Sequence, residues 1–226
     1  MPESHSLLGA LQFADSFFPS GSIAFSWGLE TLRAEGEIVS AEQVAQFLEG
    51  QLVHRWASFD APVLVAAMRA GDGFDRLADL DELVDALTLA TELREGSRRA
   101  GASLLKVHEG LGTPGAAEYR QRIAQRKART HLPVVQGLLW NATGLSEDAG
   151  RAVSAHTLCT GIVGAALRLG MIGHLDAQRI LLQVRPVLVE LLRLPAGDPE
   201  ESYAYTPHGE IAAMRHEVQD SRLFAN

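Results

Sequence analysis

Apolar residues recur every three or four positions along most of this chain, and nowhere does the strict alternation of a half-buried strand persist. A chain patterned this way buries its apolar stripes by laying helix on helix, so the spacing predicts an all-α fold. The clearest start is "VSAEQVAQFLEGQLVHRW". Ser40 caps it, Gln43 completes a capping box three residues on, and Val39 and Val44 occupy the staple positions. Val44, Phe47, Leu48 and Leu52 then share one face. A second helix is expected to open at Asp60, ahead of Ala61 and Pro62, and to close at Gly71. Leu80, Leu83, Val84, Leu87 and Ala90 keep the period, followed by Ser97, Gly101 and Leu104, until "LGTPG" ends the run. Beyond it the pattern predicts a basic helix around Tyr119 to Arg129, one opened by Pro133, and a long one capped by Ser146 that runs to about Leu169. A last one, capped by Asp176, should end or kink at Pro186, after Val184. The small residues Ser97, Gly101, Gly161 and Gly164 are expected to mark close helix contacts. The whole reads as a single compact helical domain of about ten helices over residues 1–195, with a flexible C-terminal segment over 196–226 that opens with the polar "PAGDPEES".

Composition narrows the function. At 226 residues and 46% apolar content the chain can bury a sizeable core. A formal net charge of -8 disfavours binding to nucleic acid or to an anionic membrane surface. Basic charge is carried by 18 Arg against only Lys106 and Lys127, a bias suited to planar contacts with carboxylates at interfaces and equally expected of GC-rich coding. The single Cys159 cannot close an internal disulfide, the first thirty residues lack a signal-type pattern, and no apolar run approaches the length of a membrane span. The expectation is a cytoplasmic, soluble protein.

Catalytic and ligand signatures are missing from the motifs. "GLGTPG" has neither a Lys-Ser/Thr pair nor a strand before it, so it is a helix terminator and not a phosphate loop. "HEVQD", from His216 to Asp220, has Asp where a zinc hydrolase needs its second His. The eight His residues are scattered singly, and Cys159, three residues after His156, has the apolar neighbours of a buried, inert thiol. No catalytic residue, cofactor or metal-ligand set is therefore assigned; His208 and His216, eight apart, could be brought together across a dimer as a weak symmetric metal site. Two features remain. "YRQRIAQRKART" sets five basic residues against Glu118, while Asp72 to Asp85 sets six acids against Arg76; each is a solvated face or a docking patch. The N-terminal aromatics Phe13, Phe17, Phe18, Phe25 and Trp27 divide between core and exposed anchors for another protein.

Four blocks, in order, resemble the urease accessory protein UreF family: "LLGALQFADSFFPSGSIAFSWGLE", "ATELREGSRRAGASLL", "ALRLGMIGHLDAQRIL" and "AAMRHEVQDSRLF". The resemblance covers essentially the whole chain, and implies a dimerising helical protein with no reaction of its own. It implies partners too: the accessory protein UreD (also called UreH), the GTPase UreG and apo-urease, with UreF coupling GTP hydrolysis to nickel delivery and maturation of the urease metallocentre. The family's N-terminal element falls on Ala14, Asp15, Ser16, Pro19 and Gly21, and its C-terminal partner-binding motif on Arg215, His216, Glu217, Arg222, Leu223 and Phe224. Tyr203 joins these as a candidate partner-binding residue. Two rivals stand beside that reading: an all-α enzyme, which needs convergent titratable groups, and a helix-turn-helix regulator, for which "YRQRIAQRKART" is the one candidate recognition helix.

Overall fold

The computed structural model describes residues 2–19, 25–219 and 223–224. In chain order the elements are α1 (Pro2–Ala14), α2 (Leu29–Ala34), α3 (Ala41–Gln51), a π-helical segment (Leu52–Asp60), α4 (Ala61–Ala70), α5 (Phe74–Leu87), α6 (Thr91–Gly110), α7 (Ala116–Ala124), α8 (Leu132–Ala142), α9 (Glu147–Arg168), α10 (His174–Arg193), a 3-10 turn (Pro199–Glu201) and α11 (Pro207–His216). No strand occurs among the described residues, and the all-α class read from the periodicity holds.

Local signals that depend only on neighbours in sequence are realised. Ser40 accepts from the Gln43 backbone N–H while the Gln43 side chain accepts from that of Ser40, and Ser146 caps α9 through the N–H of Ala149. Val39 stays largely exposed, so only the Val44 half of the expected staple is buried. The expected start at Asp60 does not occur: Asp60 is itself helical, and the chain runs from Ala41 to Ala70 without a break. The wider π turn carries Pro62 through. Proline has no N–H for the carbonyl four residues back, and that carbonyl, on Ser58, accepts instead from the N–H of Tyr203. The His54 carbonyl likewise accepts from Tyr205 N–H. The segment expected to be a flexible tail is thus laid along the π-helical face, and α11 beyond it packs on α2 and α6.

Two buried clusters meet along this helix. On one side α4 and α8 bring together Val63, Ala67, Val134, Val135, Leu138 and Leu139; on the other, α3, the π-helical segment, α9 and α10 contribute Leu48, Leu52, Ile162, Ala166, Ile180 and Val184. Trp56 is buried between them with its indole N–H on Ser154 Oγ at 3.2 Å. The tightest contact between α4 and α8 is at Gly137, where an added Cβ would lie 2.4 Å from Ala67 Cβ and 2.6 Å from the Leu64 carbonyl oxygen. The expected small-residue contacts at Gly161 and Gly164 do not form, since a Cβ at either would meet nothing within 4 Å. Ser97 and Gly101 do sit at a contact, against the loop before α8: Ser97 Oγ accepts from Leu132 N–H, and a Cβ on Gly101 would strike the Thr130 carbonyl.

That loop replaces the second half of the expected basic helix, for α7 ends at Ala124. Arg126 and Thr130 take positive φ, and the turn aims the N–H groups of Arg129, Thr130 and His131 at the buried carboxylate of Asp81, which also accepts from the Tyr119 hydroxyl. Burial, reinforced by Asp81, pushes that phenol far above its ordinary range. The basic and acidic runs turn out to face each other. Arg122 pairs with Asp75 and Arg129 with Glu82, while Arg120 reaches Glu109. Three of the five basic residues of the candidate recognition helix are committed in this way.

Two further helix ends differ from expectation. Gly173 is the cap of α10, and Asp176, three residues in, accepts from its N–H. Pro186 lies inside α10 without ending it: this face is exposed, Leu182 included, so water can serve the carbonyl that Pro186 cannot. Cys159 is buried, and burial pushes its thiol up to about 12, consistent with an inert side chain.

Two predictions come from this packing. Gly137→Ala should lower stability by about 1–3 kcal/mol through overpacking against Ala67 and the Leu64 carbonyl, whereas Gly164→Ala should raise it by up to about 1 kcal/mol through helix propensity; urea midpoints of the two variants check both signs. The second concerns His108, buried between the Phe13 and Phe18 rings with Nδ1 on Thr113 Oγ1 at 2.9 Å. Burial lowers its pKa from the ordinary 6.5 to about 4. The unfolded chain then binds the proton first, so this residue's contribution to stability is complete above pH 6.5 and lost as pH falls toward 4. His108→Phe should flatten that part of the acid-unfolding curve.

Candidate partner-binding surface

The C-terminal residues singled out in the sequence gather around α2. This helix has six residues, too few to persist alone, and it is held by what packs on it. Gly28, in the left-handed region at φ 83°, permits the close approach of α11: a Cβ there would lie 2.5 Å from the Gly209 carbonyl oxygen and 3.1 Å from Ala212 Cβ. His216, the last residue of α11, is fully buried. Its Nδ1 lies 2.8 Å from Glu92 Oε2 on α6 and its Nε2 lies 3.1 Å from Glu30 Oε2 on α2. Glu30 accepts two more hydrogen bonds, from the N–H groups of Leu223 (2.8 Å) and Phe224 (3.1 Å). The Phe224 ring is buried among α2, α3 and α9 side chains, with the Arg168 guanidinium 4.3 Å above it. Gln219 reaches Thr31 Oγ1, Arg215 pairs with Glu35, and His208 with Glu37, whose carboxyl that hydrogen bond holds below its usual range.

The C-terminal candidates thus fall into two kinds. His216 and Phe224 face inward and fix the segment; Arg215, Glu217 and Leu223 face solvent. With His216 enclosed by two carboxylates of its own chain, the weak site shared with His208 across a dimer has lost one of its ligands. Tyr203 is exposed as well, its backbone tied to Ser58 and its ring directed away from the core. Arg222 and Gly21 lie outside the described residues, as does Asp220. Sequence reasoning missed the neighbours that complete the outward face: Ile211, Met214 and Val218, all exposed, stand three and four residues apart on one face running off α11. The spacing in "IAAMRHEV" was the available signal, obscured by the charged residues between.

The N-terminal candidates form a separate place. Asp15 turns the chain after α1, its carboxylate accepting from Phe17 N–H at 2.8 Å. Asp15, Ser16 and Pro19 are exposed, and Phe17 is 94% exposed, while Phe13 and Phe18 pack edge to face with His108 beside them. Of the remaining aromatics Phe25 is buried and Trp27 packs against Ala213 of α11. The expected division between core and exposed anchor therefore leaves Phe17 as the outward member.

No helix among the described residues is long and apolar enough to cross a membrane. Removing the carboxylate at the centre of the C-terminal surface tests its construction. Glu30→Ala leaves His216 Nε2 and two backbone N–H groups without their acceptor and should cost about 2–4 kcal/mol; hydrogen exchange should show residues 211–219 losing protection before α8 does.

A family model described as UreF matches residues 38–185. Among curated proteins the chain is similar to the "Urease accessory protein UreF" of Trichodesmium erythraeum (strain IMS101), 33% identical over 97% of this chain and 96% of that protein. It is similar to the protein of that description from Haemophilus influenzae (strain ATCC 51907 / DSM 11121 / KW20 / Rd), 32% identical over 96% and 94%. A third, from Bacillus sp. (strain TB-90), is 33% identical over 96% and 98%. The family model stops short of α11, whereas these alignments run nearly the full length of both chains.

Proposed function

The chain belongs to the UreF family of urease accessory proteins, and from that premise we propose that it acts as a scaffold in urease maturation, docking UreD/UreH on its C-terminal surface and, with it, the GTPase UreG and apo-urease. In this reading it catalyses no reaction: it couples UreG's GTP hydrolysis to the delivery of nickel, as cargo, to the urease metallocentre. It works as a homodimer in the cytoplasm. The observation that carries the proposal is the exposed apolar row Ile211, Met214 and Val218, with Leu223 beside it, presented by a helix that His216 and Phe224 lock to the body. Apolar side chains held rigidly outward bind a partner without an added ordering cost. Arg215 and Glu217 supply a charged rim, and Tyr203 extends the surface along the π-helical segment. The N-terminal group of Asp15, Ser16 and Pro19, with exposed Phe17, supports a second docking face on the same scaffold.

The proposal separates outward from inward residues experimentally. Leu223→Ala and Val218→Asp should each weaken co-purification with UreD by at least ~2 kcal/mol, about thirty-fold in Kd, while melting and circular dichroism stay parental. Phe224→Ala should instead lower stability as well as binding. Parental UreD affinity in a folded Leu223→Ala, Val218→Asp double variant would remove this surface from consideration.

A further inference from the structure

A second feature of the molecule takes no part in that surface. Between the π-helical segment, α6, α8 and α9 lies a partly open cavity of ≈ 50 Å³. Arg55 lines it and is 4% exposed. Its guanidinium is set between the rings of Trp27 (5.4 Å) and Phe59 (5.8 Å), and its Nε is 3.5 Å from Asp60 Oδ2. Among the described residues that Nε, buried, has no hydrogen-bond partner. A buried ion pair is tolerable only when further hydrogen bonds satisfy its protons, so this arrangement lacks a component.

The rest of the lining says what the component is. The hydroxyl of Ser154 accepts from Trp56 and donates to Gln136 Oε1, and that of Thr157 donates to the Val153 carbonyl. The protons of both hydroxyls are spent. Asp60 lines the space as well, but among the described lining residues the buried polar atom left without a partner is a donor, Arg55 Nε, with the amide NH2 of Gln136 on the same wall, so the missing partner is an acceptor. A planar fork that cannot lose its charge is matched by a planar oxyanion taken end on. The indoles of Trp27 and Trp56 wall the space, and its narrowness excludes a nucleotide or a peptide. Burial also raises the pKa of Asp60, which weakens that carboxylate's competition for Arg55.

We propose that this cavity binds a small carboxylate, of the size of formate or acetate, with the Arg55 guanidinium and the Gln136 amide as its donors. Gly161 lines the same space, and its bare Cα, with nothing within 4 Å of where a Cβ would stand, leaves room for the ligand.

The test uses the full chain with sodium acetate as probe and sodium chloride at equal ionic strength as control. Acetate should raise the melting temperature saturably and chloride should not, and saturation transfer from protein protons to the acetate methyl should be observed. Gln136→Glu keeps the acceptor for Ser154 while supplying an internal carboxylate; it should melt higher without acetate and lose the acetate response. Gly161→Leu, which fills the space from a position free of contacts, should fold and lose both the melting shift and the transfer. Equal effects of acetate and chloride on the parent chain, with no transfer, would mean that water alone fills the cavity and would overturn the proposal. So would a parental acetate response in Gly161→Leu.

Discussion

Glu30 stands on a six-residue helix that could not hold together by itself, yet three groups of the C-terminal segment are fastened to it: the His216 ring and the N–H groups of Leu223 and Phe224. The sequence separations are 186, 193 and 194 residues. Neither partner in this arrangement is autonomous. α2 gains its burial from α11, and α11 gains its orientation from Glu30 on α2 and Glu92 on α6. The side chains that face outward inherit their positions from these buried ones, so the presented surface is only as rigid as one carboxylate's hydrogen bonds. Loop-closure entropy over so long a separation is a large cost, and a fully buried His flanked by two carboxylates is one way to offset it.

The same logic recurs at Asp81. Its carboxylate collects the Tyr119 hydroxyl and three consecutive backbone N–H groups from the turn before α8. Each anchor joins one helix both to a second helix and to a stretch with no regular structure: Glu30 to α11 and residues 223–224, Asp81 to α7 and the turn before α8. In both, a carboxylate satisfies backbone donors that lie outside any helix and have no ladder partner. The charges of α5 paired with Arg122 of α7 and Arg129 of the loop after it form a surface layer near the second anchor, which adds little energy.

What was legible in the sequence was what neighbouring residues decide. The capping box at Ser40, the cap at Ser146, the helical period and the inert Cys159 needed no knowledge of the fold. Asp60 misled because a cap requires an extended backbone at the capping residue, and here the chain before it was already helical. Pro186 misled because its cost depends on whether the orphaned carbonyl can reach water, which periodicity does not report. The glycines misled in part: Gly161 and Gly164 look like a contact stripe, yet a Cβ on either would touch nothing, while the close approaches are made by Gly101 against the Thr130 carbonyl and by Gly137 against α4. At the C-terminus the family motif runs together residues that hold the segment and residues that display it. Burial separates them, and burial arises from Glu30 and Glu92, far away in sequence.

The π-helical turn at Leu52–Asp60 has a consequence for how this chain can vary. Each residue of an α-helix advances the side-chain direction by about 100°, and the wider turn alters the phase between α3 and α4. Val44, Leu48 and Leu52 point into one cluster, Val63 and Ala67 into the other, because of that phase. Deleting a single residue here would return the helix to ordinary winding and turn the α4 stripe away from α8. This stretch should therefore tolerate substitutions far better than changes in length, the reverse of what is usual for a surface loop.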